Sequence, residues 1–391
     1  MYFRGVAPAI AQVDTFTPTV ANSATYLLLA EDDEGNSYEI SYGSDGSATA
    51  QEIVEGLKAA ADLAKSLGHG PWDEITATEN DSILTLTVDT AGKPIYYTVY
   101  GAPGELVKTN TTPNSGPYDW NCGANWYGGD DMPGDDAGDV VYIENAIIKY
   151  GLNQSGIANA LSALYITKSQ IGQEPVITYP SYLQIKATKV DINYQNDPGA
   201  ASFLSPVNLD LGATQSTITV FNSATASTRP SINIKCNHAS TKLHILLGAV
   251  GVANNAGETA TLAEINVLGG ACYIGDGVTL TTLLNRVGST LLRSACTTLT
   301  LDSGAVRTEG IGAITTVNIN GGSAVLNASG TITNLNAIDG QADMSQSSVS
   351  RTVTTAKIGS GGSVKYDPNV VTMTNKVQPY NSSGNITLSA A

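Results

Sequence analysis

Two sets of landmarks keep step through the last third of this 391-residue chain. A phrase of paired polar residues, mostly Thr-Thr, followed by alternating apolar residues recurs. Its apolar positions Leu283, Leu299, Val317, Leu335 and Ala356 advance in steps of 16, 18, 18 and 21. The glycines after them, Gly288, Gly304, Gly322, Gly340 and Gly361, take the same four steps. Two independent residue types sharing one irregular spacing mark an internal repeat. Each repeat has room for two or three short strands and no helix. Alternation such as Leu299/Leu301 and Val317/Ile319 turns one face of each strand inward, and glycine supplies corners with φ > 0. One coil cannot bury its own apolar face, whereas stacked coils build a continuous core. The pattern therefore predicts a parallel β-helix over 140–391, right-handed by the general preference of β-crossovers. The phrase Ile274-Gly275-Asp276-Gly277 fits a left-handed hexapeptide helix instead, but the period-two threonine runs suit longer strands.

Composition fits this reading. Charged residues make up 14% of the chain, against ~25% in ordinary globular proteins, because stacked coils set like charges one above another. Forty glycines supply the turns. A 42% apolar content excludes a disordered acidic tail. No apolar run reaches the ~20 residues that span a bilayer, so no membrane partner is expected. A net charge of −16 argues against nucleic acid.

Upstream apolar segments, including Val140–Ile143, Leu164–Ile166, Val190–Ile192, Ile218–Val220 and Leu243–Ile245, read as earlier, less regular coils, interrupted by a short helix over 156–164. Residues 1–103 read as a small α+β module of order β-β-α-β-β, compact from residue 11 onward. Its helix opens on a capping box, Thr49 with Glu52. It carries Ile53, Leu57, Ala60, Ala64 and Leu67 on one face and stops at Gly68. Residues 104–139 form a junction rich in Gly, Pro and Asp. Trp120, Trp126 and Tyr127 are too many large rings for a free linker, and are expected to plug the open end of the solenoid.

Candidate chemistry is sparse. Asp130, Asp131, Asp135, Asp136 and Asp139 resemble a calcium loop only in composition. The D-x-D-x-D-G pattern is absent, so a solvated acidic turn is expected and no metal is assigned. Cys122, Cys236, Cys272 and Cys296 form no C-x-x-C pair and read as buried free thiols. The N-terminus has no apolar core of signal-peptide length, which points to folding in a reducing cytoplasm. His69 lies between glycines at a helix end, and His244 falls at an outward position of an alternating run. Asp276, Asp302, Glu309, Asp339 and Asp343 are the carboxylates a glycosidase or lyase would need in pairs. They stand singly at turns, so no catalytic residue and no cofactor is assigned.

The chain resembles the β-helical virion structural proteins of tailed bacteriophages. The resemblance rests on Trp120-Asn-Cys-Gly-Ala-Asn-Trp126-Tyr-Gly-Gly, Pro133-Gly-Asp-Asp136, Val140-Val-Tyr-Ile-Glu-Asn145, Tyr150-Gly-Leu-Asn-Gln-Ser155, Leu183-Gln-Ile-Lys-Ala-Thr188 and Gly257-Glu-Thr-Ala-Thr261. Lys186 stands where the family phrase has Gly. The N-terminal unit resembles small α+β modules of phage particles through Ala48-Thr-Ala-Gln-Glu-Ile53 and Gly56-Leu57. The resemblance implies a particle component, a capsid decoration or head fibre made in the host cytoplasm and bound to capsid or other virion proteins as a homo-trimer. It carries over no catalytic residues. The alternative is a tail-fibre or tailspike-like β-helix that binds or depolymerises host surface polysaccharide.

Overall fold

A computed structural model describes residues 1–33, 35–100, 105–128, 132–167, 169–171, 181–194, 207–222, 230–346, 349–377 and 385–388. The fold is mostly β, and the chain divides into two compact units. One comprises Phe3–Met132 and Ile147–Leu152, the other Met1–Tyr2, Pro133–Ala146 and Asn153–Ala391. No helix among the described residues is long and apolar enough to cross a membrane.

In the first unit the helix Ala50–Ser66 begins with the capping box. Thr49 Oγ1 accepts the Glu52 N–H, and the Glu52 carboxylate accepts the Thr49 N–H. Its buried stripe is Ile53, Val54, Leu57, Ala61 and Ala64. Leu67, expected on that stripe, is the exposed C-cap residue. The helix faces an antiparallel core of Phe16, Tyr26, Leu28, Trp72, Leu84 and Leu86. Two sheets and the short helix Gly70–Glu74, which carries Trp72, supply it. One sheet has the order Ile75–Asn80, Ile83–Val88, Val13–Thr19, Glu105–Thr112, the other the order Ser37–Gly43, Thr25–Asp32, Ile95–Tyr100.

The expected β-β-α-β-β order is therefore corrected to three strands before the helix and four after it: Val13–Thr19 and Glu105–Thr112 are added at the ends, and Ile75–Asn80 and Ile83–Val88 are separate strands. Val13–Thr19 buries Asp14, Phe16 and Pro18, so an acid and a proline flank the one large apolar residue of its inward face. Glu105–Thr112 buries only Leu106, because it is an edge strand. Neither shows the apolar alternation that marks a half-buried strand, and the second extends the sheet beyond residue 103.

The second unit is a β-helix-like solenoid. Parallel strands from Val140–Glu144 to Val371–Val377 form one long sheet, each bonded to the strand of the next coil. A second parallel sheet includes Val207–Asp210, Ile232–Lys235, Ala249–Val252 and the later strands up to Asn385–Leu388. Leu283, Leu299, Val317, Leu335 and Ala356 are successive register partners, all fully buried. Only a short corner, such as 302–304 or 320–322, separates the two strands of a coil. The carbonyls of Gly270, Gly288, Gly304, Gly322 and Gly340 each accept the N–H just past the next coil's corner, at 2.9–3.1 Å. This column reaches Gly362, not the expected Gly361, because Ser363 is the residue bonded to Gly340. The corner 359–362 is longer by one residue than those below it.

Earlier coils are longer, with register partners Leu164, Val190, Ile218 and Leu243 advancing in steps of 26, 28 and 25. The helix expected over 156–164 is absent. Leu161 N–H donates to Lys186 O at 2.9 Å, and Ala163–Thr167 is a strand. The 157/161/164 spacing imitates a helix, but bonding to the next coil takes the backbone.

Candidate functional site

The outward surface of the solenoid is built from polar ladders. Thr300, Asn318 and Asn336 are register partners on three coils. Asn336 Nδ2 donates to Asn318 Oδ1 at 2.8 Å, and Asn318 Nδ2 reaches Thr300 Oγ1 at 3.4 Å. His244 stands in the same column, matched to Thr219 and Asn266 and half-buried. At the start of the column Tyr2, Tyr142 and Tyr165 stack with ring centroids 4.7 and 4.9 Å apart. The Lys189 ammonium lies 4.9 Å over Tyr165. Such ladders repeat the strand spacing of about 4.7–4.9 Å, so amides and rings stack where charges would repel.

The five candidate carboxylates, Asp276, Asp302, Glu309, Asp339 and Asp343, are dispersed. Asp302 faces Arg286 at 3.6 Å and accepts from Asn320 at 2.8 Å. Glu309 takes Arg307 at 2.7 Å and Arg293 at 3.6 Å. Asp343 is matched to Val325 on one side and Lys365 on the other. Burial opposes its charge, but hydrogen bonds from Ser345 and the Lys365 ammonium hold its carboxyl below the usual range. Asp339 lies against Gly361, and Asp276 is exposed. Each charge-paired acid thus has its own partner set, and these acids form no shared two-carboxylate site.

Asp130 and Asp131 lie outside the described residues. Asp135 and Asp136 are exposed, and Asp139 accepts the Gly134 N–H at 2.8 Å. Among the described residues no three His, Cys, Asp or Glu side chains come together to hold a metal. His69 precedes the short helix Gly70–Glu74, and its ring stacks on Tyr38 at 4.3 Å. In the first unit Trp120 is fully buried and meets Trp126 edge-on at 4.7 Å. Arg4 covers Tyr127 at 4.0 Å.

Two features give no signal in the sequence. The first is a cleft of about 440 Å³ on the outer face of the second sheet, lined by Tyr273, Leu291, Arg307, Glu309 and Val325. It exists because Ala271, Ser289, Ala305 and Ser323 form a column of small residues along one side. That column shows only once the register is known. The second is an acidic pair within the first unit. Asp33 accepts the Gly151 N–H and the Tyr96 hydroxyl. Asp119 accepts from Asn121 N at 2.9 Å and Asn114 Nδ2 at 2.8 Å. Burial, aided by Asp119 and Asp32, pushes the Asp33 carboxyl up to about 6. Burial raises Asp119 too.

No family model, curated protein or solved structure matches this chain. Its task is therefore read from its own geometry: a long stacked surface with neutralised charges, and an open cleft.

Proposed function

We propose that the chain is a structural component of a tailed-bacteriophage virion, a capsid decoration or head-fibre protein projecting from the particle surface. The observation that carries this reading is the coil-on-coil register. It makes a stiff rod whose free sheet edges lie at its ends, and rods of this kind suit an appendage. The net charge of −16 suits an outward position better than contact with packaged DNA. In this reading the solenoid is right-handed, the chain assembles as a parallel homo-trimer, and the first unit with its aromatic junction docks on virion proteins.

The test is localisation. Antibody labelling of intact particles should decorate the head, and replacing residues 11–114, whose flanking residues Ile10 and Ser115 are hydrogen-bonded, by a short linker should weaken attachment while leaving a folded solenoid. Label confined to a tail tip would sink the decoration reading. Multi-angle light scattering on the full chain should return three times the 40.4 kDa chain mass.

A second reading has its own observation. The cleft pairs the Tyr273 ring with Arg307, Glu309 and small polar neighbours, groups that suit stacking and hydrogen bonding to a sugar. In that reading the chain is a tail-fibre or tailspike-like protein that binds or depolymerises host surface polysaccharide. Release of reducing ends from capsule or lipopolysaccharide would favour it.

A further inference from the structure

Arg351 opens the strand Arg351–Ile358, and its side chain alternates in phase with Val353 on the inward face. The residue is 5% exposed. Its backbone is fixed in the ladder, paired with Val371 and donating to Val370 O at 3.0 Å. Among the described residues, its Nε, Nη1 and Nη2 all lack a hydrogen-bond partner. By contrast, the basic side chains Arg286, Arg293, Arg307 and Lys365 of the later coils each face a carboxylate.

A guanidinium cannot escape this position by losing its proton. Burial lowers its affinity for the proton only to about 10, far above neutral pH, so the group remains ionised. An isolated buried charge is among the costliest features a fold can carry. A water molecule would supply hydrogen bonds but no countercharge. The inward positions that follow it on its own strand are Val353, Ala356 and Ile358, all fully buried apolar side chains that offer it no acceptor.

We propose that Arg351 holds a small inorganic anion of halide size inside the solenoid. The ion supplies the missing countercharge and completes the core of the last coils. An apolar surround disfavours a multiply charged anion such as phosphate, whose desolvation costs more, and so favours a compact monovalent ion. The inference is independent of where the protein sits in a particle.

The probe is bromide. Thermal unfolding of the full chain is followed at fixed pH and fixed sodium while gluconate is replaced stepwise by bromide. The wild-type midpoint should rise and saturate, as binding to the folded state alone requires. Arg351→Met, which keeps the length of the side chain and removes its charge, should lose that response. It should also be at least as stable as the wild type in gluconate. Arg351→Met leaves every other basic residue in place and so preserves any non-specific anion binding; equal responses in the two proteins would therefore overturn the proposal. If the variant does not fold, wild-type crystals grown in bromide decide. An anomalous peak within hydrogen-bond distance of the guanidinium is expected, and its absence overturns the proposal.

Discussion

Asp33 and Asp119 close on the same residue, Gly151. Asp33 accepts the Gly151 N–H, and Asp119 Oδ1 lies 2.6 Å from where a β-carbon on that glycine would sit. Lys149, two residues away, directs its ammonium over Tyr118 at 5.4 Å rather than toward the pair, and the charged groups acting on Asp33 are Asp119 and Asp32. The Asp33 carboxyl is raised from 3.8 to about 6, so the folded state takes up its proton more readily than the unfolded chain. The penalty from its charge is complete above pH 6 and fades as pH falls toward 4. Stability of the first unit should therefore rise from pH 7.5 to pH 5. Asp33→Asn keeps an acceptor for Gly151 and removes the charge. Allowing for partial exposure of Asp33, it should gain about 1 kcal/mol at pH 7.5 and flatten the slope. Thermal unfolding at both pH values measures this, and an unchanged slope in the variant would assign the pH dependence elsewhere.

The solenoid core makes a second prediction. Leu299 is fully buried, stacked between Leu283 and Val317. Leu299→Ala should cost about 3 kcal/mol, from lost transfer energy and the cavity left behind. Thr298→Ala, one residue away on the outward side, should stay within about 0.5 kcal/mol. Because coils touch only their neighbours, amide exchange should speed up first in the strands Val278–Asn285, Cys296–Leu301 and Ile314–Ile319. A uniform rise along the whole chain would contradict nearest-neighbour stacking.

These residues also show how much of the fold is legible in the sequence. The column from Leu283 to Ala356 is readable because each coil needs one apolar residue at one inward place. Such short, nearly equal steps leave little room for drift. The glycine column is readable to Gly340 and then slips by one, since a corner lengthened by one residue hides among adjacent glycines. Upstream, the coils are longer and vary too much for spacing to expose them, so Leu161 passes for a helical residue. Val13–Thr19 stays hidden because its inward positions include Asp14, which is satisfied by Gln12 and Asn110 rather than by apolar neighbours. Arg351 gives no signal at all. A lone basic residue at the start of a strand reads as solvent-facing, and only the register turns it inward.

Corner glycines allow a paired test. Gly322 has φ +74°, and a β-carbon there would lie 2.5 Å from Gly304 O. Gly68, at the end of the helix, has φ +67° with no atom within 4 Å. Both substitutions to alanine carry the left-handed backbone cost of about 1–2 kcal/mol. Only Gly322→Ala must also push two coils apart. It should therefore exceed Gly68→Ala by about 2 kcal/mol or more in urea unfolding. Equal costs would mean that the turn relaxes freely and that glycine is kept there for its backbone conformation alone.

The cysteines report whether the coils are closed in solution. Cys236, Cys272 and Cys296 are buried, whereas Cys122 is partly exposed beside Ser115 Oγ at 3.5 Å. Burial pushes the Cys236 thiol up to about 12 and the Cys296 thiol to about 11, and raises Cys272 as well. The thiolate is the reactive form, so access and ionisation both protect these three. Iodoacetamide on the folded chain at pH 8 should add one label, on Cys122, and all four thiols should react in denaturant. Raising the pH from 7 to 9 should leave Cys236, Cys272 and Cys296 unlabelled, because burial keeps their thiols protonated across that range. Intact-mass spectrometry followed by peptide mapping reads the result. A second label arriving at a comparable rate would show that a solenoid coil opens far more often than its stacked register implies.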